Sequence, residues 1–115
     1  FANLIWAFAK LDHTPGATFQ EAFEDALIRK ISKFSPQALA NVAYGYASLG
    51  LPGSRNVLPF VALHLTKDVL TDVETRELVM VMWSFAQSGY DPGAEFIARA
   101  EDAALRVVYR NNRRI

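Results

Sequence analysis

Residues 39 to 49 read Leu39-Ala40-Asn41-Val42-Ala43-Tyr44-Gly45-Tyr46-Ala47-Ser48-Leu49, and altered copies of this string stand on either side of it. Phe1-Ala-Asn-Leu-Ile-Trp-Ala-Phe-Ala-Lys-Leu11 aligns to it without gaps at an offset of 38, and Leu78-Val-Met-Val-Met-Trp-Ser-Phe-Ala-Gln-Ser88 at an offset of 39. Trp6, Tyr44 and Trp83 fall in register, Phe8, Tyr46 and Phe85 follow two places on, and Ala9, Ala47 and Ala86 coincide. Each copy then runs into a turn: His13-Thr14-Pro15-Gly16, Leu51-Pro52-Gly53 and Tyr90-Asp91-Pro92-Gly93. Pro and Gly stop one helix there before the next begins. Three independent features with one period predict an internal repeat.

A second helix is expected after each turn, over residues 19–32, 56–70 and 94–109. Pro59 is then expected in a first helical turn, where its missing N–H has no partner to lose. The leading helix of the second copy is announced by Ser35 as N-cap, Pro36 at the first helical position and Phe34 placed to staple against Leu39. In the third copy Thr71, Asp72 and Glu74 compete for the cap, and one residue has been inserted. On a wheel of about 100° per residue, Val42, Ala43, Tyr46, Ala47 and Leu49 lie within about 80° of Leu39, with Gln37, Asn41 and Ser48 opposite, flanked by Tyr44 and Gly45. A broad apolar arc with a thin polar stripe suits a helix stacked between neighbours. Such repeats bury their faces only against one another. The expected fold is all-α: an α-solenoid of three helical hairpins over residues 1–33, 34–72 and 73–115, one domain across 1–115. The chain opens at Phe1 inside a predicted helix, with no start methionine, signal or transit sequence ahead of it, so a segment of a longer protein is expected.

At 115 residues, 51% of them hydrophobic, the chain suffices for one core. It has no cysteine, which excludes disulfide frameworks, thiolate metal sites and cysteine nucleophiles. Residues 34–54 are uncharged, but Ser, Gln and Asn together with Pro52 and Gly53 make them a poor membrane span. The formal charge is zero, yet Arg106, Arg110, Arg113 and Arg114 hold the C-terminal end without an acid, which leaves the body acidic. That distribution counts against generic polyanion binding, which depends on Lys and Arg contacts to phosphate. His13 and His64 lie far apart in the repeat frame, so no metal site is expected. No nucleophile with an orienting base, no phosphate loop and no dinucleotide fingerprint is found. Neither an enzymatic activity nor a cofactor or small-molecule substrate is expected, and binding is.

The stretch Phe34-Ser-Pro-Gln-Ala-Leu-Ala-Asn-Val-Ala-Tyr-Gly-Tyr-Ala-Ser-Leu-Gly50 resembles the signature of octotricopeptide repeats, helical hairpins of about 38 residues related to those that precede the RAP domain in organellar proteins. The Leu-Ala-Asn, the aromatic three residues later and the terminal Leu-Gly carry the resemblance, which spans nearly the whole chain. It implies sequence-selective binding of single-stranded or ribosomal RNA in a chloroplast or mitochondrion. The processes implied are transcript stability, splicing, translation or ribosome assembly, alongside protein subunits of an organellar complex. Carried over to this chain, the RNA face of the leading helices would hold Asn3, Asn41 and Met80 at one repeat position. Lys10, Ser48 and Gln87 come seven residues later, and Gln37 and Arg76 four residues before Asn41 and Met80. Met80 departs from the pattern, because a thioether reads no base edge by paired polar hydrogen bonds.

Each candidate also has a plainer reading. An amide at Asn3 or Asn41 pairs with a base edge through two hydrogen bonds, and equally suits a solvated helix face or an interhelix bond. Trp6, Tyr44 and Trp83 sit at the edge of the apolar arc, where packing is the usual role and base stacking the alternative. Arg106, Arg110, Arg113 and Arg114 suit phosphate, an acidic partner, or a helix C-terminus whose dipole favours cations. Two functions follow: an RNA-binding segment, or a protein interaction scaffold that does not touch RNA.

Overall fold

A computed structural model describes residues 1–71 and 73–112. These residues are helical, with no strand: α1 (Asn3–Lys10), α2 (Ala17–Lys30) running into a 3-10 turn at Ile31–Lys33, α3 (Pro36–Leu49), α4 (Ser54–His64), α5 (Lys67–Thr71), α6 (Thr75–Gln87) and α7 (Ala94–Asn112). Helix α3 is the centre of the molecule. It makes its most extensive contacts with α6 on one side and α1 on the other, while α4 pairs with it and α7 with α6. The side-by-side arrangement gives extents of 49 × 26 × 25 Å. One continuous core runs from Ala2, the residue just before α1, to Ala103 on α7.

Local chemistry explains where the helices begin and end. Ser35 Oγ accepts from the Ala38 N–H at 3.1 Å and Pro36 opens α3, as the sequence predicts. For α6 the competition is won by Glu74, whose side chain accepts from the backbone N–H of Glu77, while the Glu77 carboxylate accepts the Glu74 N–H at 3.2 Å. The three leading helices share one C-terminal closure. His13, Leu51 and Tyr90 donate their N–H groups to Phe8, Tyr46 and Phe85 at 3.0, 3.2 and 2.9 Å. The residue before each, Asp12, Gly50 and Gly89, takes a positive φ of 53°, 61° and 66°. This is the left-handed cap that satisfies a helix's last carbonyls and favours glycine.

Aromatic pairs close two of the hairpins in the same way. Phe8 meets Phe19 of α2 edge-on at 5.1 Å and Phe85 meets Phe96 of α7 at 5.5 Å. Each such pair adds about 0.5–1.5 kcal/mol beyond the area it buries. Between them, Tyr46 is 2% exposed and leans toward Phe23, with the rings 6.4 Å apart.

Three expectations are corrected. The second helix of the middle copy is not continuous over 56–70: it breaks at Leu65, which leaves helical geometry at φ −91° and ψ 67°, and resumes as α5 after Thr66. Pro59 is not in a first turn, because α4 starts at Ser54 with the Asn56 and Val57 N–H groups already bonded to Gly53. Proline there leaves the Arg55 carbonyl without its intrahelical donor, which an exposed position tolerates. Finally, Asn41 and Gly45, read as part of the polar side of α3, are buried, because α1 lies against that side.

Candidate functional site

The three leading helices carry the candidate positions as rows running across α1, α3 and α6. In the row Asn3, Asn41, Met80, the Asn41 Nδ2 donates to Asn3 Oδ1 at 2.7 Å. Asn41 is only 9% exposed, Met80 is half-buried, and Asn3 alone is open to solvent. The interhelix hydrogen bond thus occupies one amide proton of the buried residue.

Trp6, Tyr44 and Trp83 form a second row. The Tyr44 and Trp83 rings lie 5.6 Å apart and 32° from parallel. Lys10 Nζ stands over both neighbouring rings, 5.5 Å from the Trp6 centroid and 4.9 Å from that of Tyr44, and donates to the Tyr44 hydroxyl at 3.5 Å. Hydrogen bonds from Ser48 and Lys10, with the Lys10 charge, hold the Tyr44 phenol below its ordinary value. Trp6 and Tyr44 are half-buried and Trp83 is 43% exposed, so part of each ring is left to meet a ligand. Lys10, Ser48 and Gln87 line this row and are all exposed, as are Gln37 and Arg76 toward the other end of the helices.

Acids are sparse on the leading helices. Helices α1 and α3 contain no acid and α6 contains only Glu77, whose carboxylate is engaged in the capping box. More acids stand on α2, as Glu21, Glu24 and Asp25, and on α7, as Glu95, Glu101 and Asp102, where Arg29 and Lys30 and Arg99, Arg106 and Arg110 accompany them. The acidity read from composition therefore does not describe the leading-helix face.

Arg106 and Arg110 are not brought to this face. Arg106 donates to the Leu70 carbonyl at 3.4 Å and with Arg110 lines a recess between α5 and α7 that also holds Leu70, Val73 and Tyr109. Arg113 and Arg114 lie outside the described residues.

A feature not read from the sequence is the small-residue position Ala7, Gly45, Ser84, which falls in register in the three copies. On α3 it receives Ile5: a Cβ built on Gly45 would stand 2.8 Å from Ile5 Cγ2 and 2.9 Å from the Ile5 carbonyl. Ser84 is fully buried, its hydroxyl donating to the Met80 carbonyl at 2.6 Å. The signal was present as three small residues in one column of the alignment. Its meaning required a neighbouring helix.

Comparison of the chain with protein-family models, with curated proteins and with solved structures finds no match.

Proposed function

We propose that the chain is an α-solenoid segment, built on the 38 to 39 residue hairpin repeat, that binds single-stranded RNA across the exposed face of α1, α3 and α6. The observation that carries this reading is the row Trp6, Tyr44, Trp83, which is threaded by Lys10 and lies on helices whose single acid is already engaged. Partly exposed aromatic faces with an adjacent cation suit unpaired bases, which stack on any π surface and bring a phosphate near the ammonium. The recurrence of the left-handed cap at Asp12, Gly50 and Gly89 supports the repeat. The resemblance to octotricopeptide repeats supports RNA as the ligand and an organelle, chloroplast or mitochondrion, as the location. Bases would be read by Asn3, Ser48 and Gln87, which are exposed, while Gln37, Arg76 and Lys10 supply further polar and phosphate contacts. Asn41 holds Asn3 in place.

Tryptophan fluorescence titrated with a single-stranded RNA oligonucleotide at low salt tests this directly. Quenching that saturates is expected, and Trp83→Ala should weaken binding by about 5- to 160-fold, the range for one base–aromatic stack of about 1–3 kcal/mol. With few cations on the face, the decline of affinity with salt should be shallow. No quenching at low salt, or equal affinity in Trp83→Ala, defeats the proposal and leaves the protein scaffold as the better reading. That second reading draws on one observation: Val79 and Met82 of α6 are exposed apolar side chains beside Trp83.

A further inference from the structure

Among the described residues, one buried side-chain polar atom has no hydrogen-bond partner, the Nε of Arg99 on α7. A buried N–H without an acceptor is costly and calls for a cause. The rest of the guanidinium is within reach of a ligand: the side chain is 28% exposed, its Cζ stands 5.7 Å over the Phe96 ring, and Nη1 lies 3.4 Å from the Glu95 carboxylate. Glu95 is itself 92% exposed, so water screens that contact and it contributes little.

Arg99 lines a groove of about 640 Å³ between α4 and α7. The break at Leu65 opens it. Helix α7 makes its main contacts with α5 and α6 and not with α4, whereas α2 and α4 meet directly in the preceding pair of hairpins. Pro59, Leu63, Pro92 and Phe96 give the groove an apolar lining, in which Leu63 is 66% exposed. Lys67 and Arg99 bring two cations to it against one acid, Glu95. Both walls belong to hairpins present in the chain, and none of the lining residues stands on α1, α3 or α6.

We propose that this groove binds an acidic peptide segment of a partner protein, with a carboxylate seated on Arg99 and a bulky apolar neighbour against Leu63 and Pro92. The lining selects that chemistry. Turned into the groove, the guanidinium offers Nε–H and an Nη–H side by side, the fork that matches the two oxygens of a carboxylate, and the same turn gives the orphaned Nε its acceptor. Lys67 adds attraction at the rim. A wholly apolar ligand leaves Nε unsatisfied, and a basic one meets two cations. The site is independent of the RNA-binding reading, because it lies on the second helices and shares no residue with the aromatic row.

Fluorescence anisotropy of a short labelled peptide of alternating leucine and glutamate, titrated at low salt with the full 115-residue chain, tests this against the same peptide carrying glutamine or lysine in place of glutamate. The glutamate peptide should saturate and the other two should not. Arg99→Gln should weaken its binding by about 10- to 150-fold, the loss of a hydrogen bond to a charged group, and Lys67→Gln by no more than about 5-fold, as for an exposed charge pair. Leu63→Asp, at an exposed position, should abolish binding with circular dichroism and melting unchanged, which separates loss of the site from loss of the fold. A glutamate peptide that does not bind, a glutamine or lysine peptide that binds as well, or full affinity in Arg99→Gln or Leu63→Asp overturns the proposal. Displacement of the bound peptide by single-stranded RNA overturns it in favour of a phosphate site.

Discussion

Gly45 and Tyr46 are adjacent on α3 and are constrained in opposite ways. In an isolated helix Gly45→Ala should stabilise by about 1 kcal/mol, since glycine is the poorer helix former. Here the added methyl meets the backbone of Ile5, so α1 must move away, and overpacking of this kind costs about 1–3 kcal/mol. The expected net effect is destabilisation, read as a lower urea midpoint; a more stable variant would show that α1 does not seat there. Tyr46 is constrained by burial instead, which pushes its phenol far above the ordinary value of 10.0, with the nearby Glu24 carboxylate acting in the same sense. Tyr90 is shifted the same way by burial and Asp91, and Tyr44 in the opposite direction. A raised folded pKa means that the unfolded tyrosine ionises first. The stabilisation from Tyr46 is thus complete below pH 10 and is lost as pH rises beyond it. Tyr46→Phe, which keeps the ring, should flatten the fall of stability above pH 10 and leave it nearly unchanged at neutral pH. An equally steep alkaline fall in Tyr46→Phe would place its cause elsewhere.

The leading helices differ most usefully at their C-terminal caps. Gly50 and Gly89 take the left-handed conformation without strain, whereas Asp12 takes it with a Cβ. An L-residue in that region pays about 1–2 kcal/mol relative to its ordinary helical conformation, less for Asp than for most. Asp12→Gly should therefore stabilise the first hairpin, whereas Gly50→Ala at the equivalent position should destabilise the second, each by about 1 kcal/mol in chemical denaturation. The sequence reading placed the helix stops at the Pro-Gly turns and did not single out Asp12, Gly50 or Gly89 as caps; their shared cap is revealed by the positive φ and by the hydrogen bond from the following residue. Helix α5 was not legible at all. Residues 56–70 have continuous helical patterning, and the break at Leu65 places Leu70 in the core and lets its carbonyl accept from Arg106 on α7.

For the whole molecule, α3 is covered on both flanks, by α1 and by α6. Removal of residues 73–115 would expose Ala40, Ala43 and Ala47 along one side of α3 and strip the partners of Leu70 from the core. The remnant should unfold with a broad transition or populate a partly folded state, because stacked hairpins take much of their stability from nearest-neighbour contacts. A remnant that melts as sharply as the whole chain would show each hairpin to be self-sufficient.

The sequence by itself determined the helical class, the N-cap at Ser35 and Pro36, the turns at Pro15-Gly16, Pro52-Gly53 and Pro92-Gly93, and the column that aligns Trp6, Tyr44 and Trp83. These are consequences of backbone geometry within a few residues, which side-chain identity controls locally. Only the tertiary structure decided that Asn41 and Gly45 are interior, and that Val79 and Met82 remain open while Ala40 and Ala43 are covered. A helical wheel places a residue on a side of its helix but does not say whether another helix lies there. Burial is a property of the neighbour as much as of the residue.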